Sequence, residues 1–161
     1  MPMLVKEVMS KKFITVKPSL NLIELIKLFR TYHFHRLPVT DEENHILGTV
    51  SIESVMGIFK PHSKRLTRML RASPSLKVEE EEMDILDAEI TPEWIKTTSV
   101  SDLMESNVIS IEEDKTISEA RTLMKLHNKQ GLPVVRNGTL VGVVTLFDII
   151  YALFREKGII E

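Results

Sequence analysis

The sequence predicts a mixed fold of helices and strands, α/β in the broad sense and α+β in detail. It is made of two copies of one β-α-β-β-α unit. Three observations support this prediction: an internal repeat, a helix signal in each copy, and two strand-like runs after each helix. An offset of 95 residues, which falls to 94 after one loop, superimposes 5–9 (VKEVM) on 100–104 (VSDLM), 37–39 (LPV) on 132–134 (LPV), and Gly48 on Gly142. Such ordered agreement indicates two homologous units, at 1–59 and 100–161, joined by a charged connector at 60–99.

Each unit opens with a short β run that precedes an amphipathic helix. The β runs are residues 14–16 and 109–111. The cap pairs that mark the two helix starts are Asn21 with Glu24 and Thr116 with Glu119. Apolar residues then recur at helical spacing, which predicts one buried face on each helix. They are Leu22, Leu25, Ile26 and Phe29 in the first copy, and Ile117, Ala120, Leu123 and Met124 in the second.

Two strands follow each helix and should form an antiparallel hairpin. The predicted strands are residues 37–40 and 46–51 in the first unit, and 132–136 and 140–145 in the second. Asn137 and Gly138 between the last two strands are typical of a two-residue hairpin turn. A final helix closes each unit, from residue 52 to about 60 and from 146 to about 156.

The last helix carries a prediction about assembly. Every residue from Leu146 to Phe154 except Asp148 is apolar. A helix that is apolar all round must be covered on all sides, and its own sheet can cover only one of them. We therefore expect the two units to pair within the chain and the chain to form a homodimer.

The connector is too long for a bare loop in a compact domain. It is basic at first and acidic after residue 78, and an apolar stripe predicts a helix after Pro61. The basic run from Lys64 to Arg71 is open to three interpretations: the solvated face of that helix, a protein-partner surface, or a nucleic-acid patch. The absence of interleaved aromatic residues makes the last of these the least favoured.

Composition excludes several classes of site. The chain of 161 residues has no cysteine, which excludes disulfides and thiolate chemistry, and its net charge of -2 gives no bias toward nucleic acid or anionic membranes. No apolar stretch reaches the roughly 20 residues that a membrane span needs, and no signal peptide is visible. No nucleophile-base set, zinc motif or Walker glycine loop is present. We expect a non-catalytic, cytoplasmic protein.

The turn from the last strand into the last helix is the strongest candidate for a ligand site. Thr145 ends an apolar strand and Asp148 lies one helical turn further on, with Ser51 and Ser54 at the equivalent positions of the first unit. A hydroxyl beside the positive end of a helix favours an anion such as phosphate, and a carboxylate can accept two hydrogen bonds from a diol. The pattern T-x-x-D is equally a capping box, so both interpretations stay open.

Taken together, the repeated β-α-β-β-α pattern, the LPV on the second strand and the G-h-h-[ST]-x-x-[DS] turn resemble a tandem pair of cystathionine-β-synthase (CBS) domains. The resemblance covers about 5–59 and 100–155. It implies two units packed sheet to sheet about a pseudo-twofold axis, an arrangement called a Bateman module. It also implies that an adenosine nucleotide or adenosyl compound binds between the units, and that the module regulates another protein.

The resemblance assigns roles unequally to the two clefts. In the cleft of the second unit it implies that Asp148 holds the ribose diol, that Thr145 contacts phosphate or ribose, and that His35 and Arg36 bind the phosphates. The residues that it places around the adenine are Val108, Ile109, Pro133 and Val134. In the other cleft, Ser54 replaces the ribose-binding carboxylate, and Gln130 stands where the sister unit has a cation; Ser51 replaces Thr145. We therefore expect one strong site per chain, with the Ser51 and Ser54 cleft weak or empty.

The expected ligand is an adenine nucleotide, namely AMP, ADP or ATP, and the expected function is that of a sensor module acting on an unknown protein effector. One alternative is a scaffold that presents its charged connector to a partner protein, and another is nucleic-acid binding from Lys64 to Arg71. His33 and His35 are two residues apart and would share a strand face. With no third ligand at suitable spacing, we expect no metal site.

Overall fold

The computed structural model describes residues 1–59 and 92–161. It contains two α/β units arranged as the repeat predicts. The predicted helix after Pro61, the basic run from Lys64 to Arg71 and most of the acidic run lie outside the described residues.

The chain begins with a short helix α1 (Val5–Val8), and the first unit follows as α2 (Leu22–Tyr32), β1 (Arg36–Thr40), β2 (Ile46–Ser51) and α3 (Ile52–Met56). A 3₁₀ turn, Gly57–Phe59, extends α3. The strands β1 and β2 form an antiparallel hairpin in which Leu37 lies opposite Val50.

The predicted β run at 14–16 is reduced to a single parallel bridge. Val16 pairs with Val39, and the Val16 N–H donates to the carbonyl of Pro38 at 3.0 Å. Pro18 has no N–H with which to continue a ladder two residues later, so the pairing stops after Val16.

The second unit is preceded by α4 (Pro92–Thr97) and α5 (Val100–Leu103), and it contains β3 (Ile111–Glu112), α6 (Ile117–Leu126), β4 (Gly131–Arg136), β5 (Thr139–Thr145) and α7 (Leu146–Glu156). β3 runs parallel to β4, and β4 runs antiparallel to β5. Asn137 and Gly138 have φ values of 50° and 83°, which confirms the predicted hairpin turn. The first strand begins at Ile111, so Ile109 precedes it rather than starting it.

Each unit is completed by the segment that opens the other copy. The Val5 N–H donates to the carbonyl of Lys115 at 2.8 Å, and Val5 is fully buried in the core of the second unit. In return, the Val100 N–H donates to the carbonyl of Leu20 at 2.8 Å, and Val100 is fully buried in the core of the first unit. The two cores therefore depend on each other through exchanged apolar residues.

Reciprocal contacts relate the units by an approximate twofold axis. Ser10 pairs with Val143 on β5, and the equivalent residue of the second repeat, Glu105, pairs with Thr49 on β2. At the hairpin tips, the Leu140 N–H donates to the carbonyl of Asn44 at 2.9 Å, and the Ile46 N–H donates to the carbonyl of Gly138 at 3.3 Å. This confirms the predicted pairing of the two units within the chain.

α7 keeps an apolar face that the described part of the chain does not cover. Ile149 of this helix is buried. Five other large apolar side chains on α7 have exposed fractions from 39% to 73%, namely Phe147, Ile150, Tyr151, Leu153 and Phe154. The homodimer that this face led us to expect remains a prediction.

Within residues 1–59 and 92–161, no helix combines the length and apolar character needed to cross a membrane.

Candidate functional site

The start of α7 is closed by a capping box. The Thr145 hydroxyl accepts a hydrogen bond from the Asp148 N–H at 3.2 Å. The Asp148 carboxylate in turn accepts from the Thr145 N–H at 2.8 Å and from its hydroxyl at 2.9 Å. This is the capping geometry that the sequence allowed. It leaves further lone pairs on the carboxylate, so capping does not exclude a second partner for Asp148.

A cavity of about 810 Å³ lies between the two units. The first unit lines it with Phe34, His35, Arg36, Thr49 and Glu53, and the second with Lys129, Gln130, Pro133, Thr145 and Phe147. The walls thus combine cations, hydroxyls and aromatic rings from both repeats. Residues that the resemblance divides between two clefts, such as Arg36 and Gln130, share this one cavity.

Other expected site residues lie elsewhere. Asp148 lines a different cavity of about 590 Å³, between α1 and α7, with Glu7 and Tyr151 among its neighbours. Val134 is fully buried in the core of the second unit. Ile109 packs against that core, and half-buried Val108 is absent from the lining of the inter-unit cavity. Of the four residues expected around adenine, the structure brings Pro133 to the cavity.

Arg36 is already paired in this cavity. Its Nη1 donates to the hydroxyl of Thr49 at 2.9 Å and to the carboxylate of Glu105 at 3.2 Å. The Arg36 side chain is 37% exposed and that of Glu105 is 52% exposed, so both remain accessible to solvent. Sequence reasoning missed Glu105, because 69 residues separate it from Arg36 and nothing local in the sequence marks the pair.

A second carboxylate, Glu53, faces the same cations. Its pKa is lowered by its own backbone N–H and by the Ser51 hydroxyl, with further help from the charges of Arg36 and His35, while burial opposes the shift. Glu53 is therefore ionised at neutral pH. Sequence reasoning missed this residue too, although its place in the first turn of α3 was visible in the repeat.

The histidines do not share a strand face as predicted. His33 ends α2 in the left-handed conformation, with φ 55°, and His35 precedes β1. A residue that terminates a helix in this way cannot continue the alternation of a strand. Across residues 1–59 and 92–161, no three His, Cys, Asp or Glu residues are grouped to hold a metal ion.

In the equivalent turn of the first unit, the two residues at the positions of Thr145 and Asp148 are both neutral. The Ser54 N–H donates to the Ser51 hydroxyl at 3.1 Å, and the two hydroxyls lie 3.0 Å apart. Ser51 is fully buried. This turn has a hydroxyl where the second unit has the carboxylate of Asp148.

Comparison with known proteins identifies the family. The CBS domain family matches residues 5–60 and 100–155. The chain is 33% identical to the uncharacterized protein MJ1426 of Methanocaldococcus jannaschii in an alignment 161 positions long, which covers 94% of this chain and 91% of that protein. Its fold is similar to that of CBSX2 of Arabidopsis thaliana, solved in complex with AMP, with a TM-score of 0.69 and 20% identity over 96% of this chain and 98% of that one.

A second solved structure with the same fold is the CBS domain pair of protein MJ0100, in complex with 5′-methylthioadenosine and S-adenosyl-L-methionine. The TM-score is 0.63 and the identity 23%, over 98% of this chain and 99% of that one. The two family matches, the internal repeat and the reciprocal contacts between the units lead to one conclusion. The chain belongs to the CBS domain family and is a tandem pair of CBS domains.

Proposed function

We propose that this CBS pair is a non-catalytic regulatory module that binds an adenine nucleotide, AMP, ADP or ATP, between its units and signals to another polypeptide. One observation carries the proposal. Arg36 and His35 of the first unit line the same cavity as Thr145, which begins α7 of the second unit. A ligand in this cavity would therefore touch both units at once.

The chemistry of the cavity suits a phosphate. The guanidinium of Arg36 can hold two phosphate oxygens, and His35 adds positive charge when it is protonated. Thr145 stands at the positive end of the dipole of α7. A volume of about 810 Å³ falls within the range of small-molecule sites. Two proteins of the same fold were crystallised with adenosine compounds, which supports the choice of ligand.

Asp148 is the proposed partner of the ribose diol. Its carboxylate accepts two hydrogen bonds from Thr145 and keeps lone pairs for others. Pro133 supplies part of the apolar wall for the base. Because Asp148 and Pro133 line different cavities, a nucleotide would engage both only by reaching past the start of α7.

We propose one strong site per chain. The Ser51 and Ser54 turn offers neutral hydroxyls where the other turn has the carboxylate of Asp148. Gln130 lines the same cavity as Arg36, so the difference between the two turns rests on Ser54 and Asp148. Charge-assisted hydrogen bonds contribute about 1.5–3 kcal/mol each, so losing two of them weakens binding by several decades.

The exposed face of α7 supports a homodimer as part of the same proposal. Phe147, Ile150 and Phe154 give this helix an apolar surface that a second copy would cover. In that assembly the nucleotide would lie near the interface, since Phe147 also lines the inter-unit cavity.

A thermal-shift screen against AMP, ADP, ATP, S-adenosylmethionine and NADH tests the proposed ligand class. A ligand that binds only the folded state raises the unfolding midpoint, and the gain in stability grows with the logarithm of its concentration over its Kd. We expect an adenine nucleotide to raise the midpoint of the wild-type protein and to lose that effect in Asp148→Ala. No shift with any compound would favour the scaffold alternative, in which the module binds a protein partner without a nucleotide.

A further inference from the structure

We propose that Glu105 is an intramolecular competitor for the anion that Arg36 binds, so that this carboxylate sets the affinity of the inter-unit cavity. The proposal rests on the function proposed above and concerns the control of the same site. Its basis is the ion pair between Arg36 Nη1 and Glu105 Oε2, at 3.2 Å, which joins the first strand of one unit to the opening segment of the other repeat.

The backbone of Glu105 is fixed beside the cavity. The Glu105 N–H donates to the carbonyl of Thr49 at 2.8 Å, and the Thr49 N–H donates to the carbonyl of Glu105 at 3.0 Å. The Thr49 hydroxyl also accepts from Arg36, so all three residues form one cluster. Because the backbone is already ordered, the carboxylate reaches Arg36 with only the entropy cost of its own side chain.

The other repeat supplies an internal control for this arrangement. Ser10 is the equivalent of Glu105, and Gly131 is the equivalent of Arg36. Ser10 and Val143 nevertheless form the same two backbone hydrogen bonds, at 2.9 and 3.0 Å. The contact between the units therefore needs no ion pair. The pair exists in the half that carries the candidate phosphate-binding arginine.

Competition follows from the geometry of the guanidinium. The N–H groups of the Arg36 guanidinium can donate to a carboxylate or to phosphate oxygens. A phosphate that accepts from the same N–H groups as Glu105 must displace the Glu105 carboxylate. The Glu105 side chain is 52% exposed, so it can turn into solvent when it is displaced. Glu53 is close enough to feel the charges of Arg36 and His35, and Lys129 lines the same cavity. A more highly charged phosphate should compete better with Glu105.

The test compares Glu105→Gln, which keeps the size of the side chain, with Glu113→Gln as a matched control. Glu113 also pairs with an arginine, Arg136, but neither residue lines the inter-unit cavity. Binding of the adenine nucleotide, with AMP, ADP and ATP tried in turn, and of inorganic pyrophosphate is measured by isothermal titration. We expect Glu105→Gln to bind both about two- to five-fold more tightly than wild type, the range for one exposed ion pair, and Glu113→Gln to match wild type.

Two further variants isolate the mechanism. Glu105→Ser, which copies the other repeat, should also bind more tightly. In an Arg36→Gln background, the change Glu105→Gln should have no effect on affinity, because the competitor acts only through Arg36. Equal or weaker binding by Glu105→Gln, or a gain that persists without Arg36, overturns the proposal.

The two ligands separate this proposal from the proposed function. If AMP binds wild type and Glu105→Gln equally, the nucleotide function stands and the competitor role is wrong. If pyrophosphate binds Glu105→Gln more tightly and none of AMP, ADP and ATP binds either protein, the competitor role stands and the nucleotide function is wrong. If neither pyrophosphate nor any of the three nucleotides binds either protein, both are overturned.

Discussion

A Cβ atom on Gly48 would lie 2.6 Å from the carbonyl oxygen of Glu105. The equivalent glycine, Gly142, stands equally close to the opening segment, with Met9 Sδ at 2.6 Å and the carbonyl oxygen of Ser10 at 3.0 Å from its Cβ position. Both glycines thus permit the exchanged segment of the other repeat to pair with β2 or β5. The glycine that starts each candidate ligand turn has a packing role.

Gly48→Ala should therefore destabilise the protein. The obstacle is backbone of a hydrogen-bonded segment, which cannot move without loosening the contact between the units. We expect a loss of about 1–3 kcal/mol in urea unfolding, the usual cost of overpacking. Gly57→Ala is the matched control, since a Cβ there meets no atom of residues 1–59 or 92–161 within 4 Å and its φ of -61° suits alanine. The control should be neutral or slightly stabilising, and equal stability of the two variants would contradict this account.

Val5→Ala should weaken the second unit although Val5 opens the first repeat. Two buried methyl groups are removed, which predicts a loss of about 1.5–3 kcal/mol with the cavity left behind. Hydrogen exchange should rise first in α6, which packs in the same core, while Val100→Ala should raise exchange first in α2. Lys6→Ala, an exposed change in the same helix, is the control. If Val5→Ala accelerated hydrogen exchange in α2 alone, the conclusion that Val5 belongs to the core of the second unit would be wrong.

Glu113 should contribute to the loss of stability in acid. The hydrogen bond from Arg136 lowers the pKa of Glu113, with the nearby charges of Arg136, Lys6 and Lys11 adding to the shift and burial opposing it. The ionised form thus stabilises the folded state above the ordinary Glu pKa of about 4.3, and this contribution disappears as the pH falls through the lower folded value. Unfolding midpoints from pH 6 to pH 2 should fall less steeply in Glu113→Gln than in wild type. Arg136→Gln should give the same shallower profile, and an unchanged slope in either variant would count against the pair.

Ile150→Glu should convert the proposed dimer into a monomer. Ile150 is 50% exposed on the apolar face of α7, and a charge buried there without a partner would oppose association. Sedimentation velocity measures the change directly. Leu126→Glu is the control, because Leu126 is an exposed apolar residue on α6, outside that face. A monomeric wild-type protein, or a variant that stays dimeric, would exclude α7 as the interface.

The sequence predicted what depends on local pattern. The strand at Ile46–Ser51, the turn at Asn137 and Gly138, and the caps at Asn21 and Thr116 all follow from short-range rules, and each lies where expected. The repeat added the pairing of the units.

What the sequence could not predict depends on contacts between distant segments. The sequence shows that Val5 is apolar and suited to burial, but its local pattern is the same whether it packs in the core of its own unit or in that of the sister unit. The pair between Arg36 and Glu105 forms only because the exchanged segment brings Glu105 to β2. The site residues that the resemblance to the family implied fall into two groups, those that line the inter-unit cavity and those that do not. His35, Arg36 and Thr145 meet at one cavity, whereas Asp148, Val108 and Ile109 lie outside its lining.

Isothermal titration of AMP, ADP and ATP into wild type and Arg36→Gln tests the central claim most directly. We predict that one of these nucleotides binds wild type at one site per chain, and that Arg36→Gln loses about ten-fold or more of the affinity, because a charge-assisted pair of hydrogen bonds to phosphate is removed. Circular dichroism on the same samples confirms that the variant is folded. Binding that is unchanged in Arg36→Gln, two equal sites per chain, or no heat with any nucleotide would contradict the account.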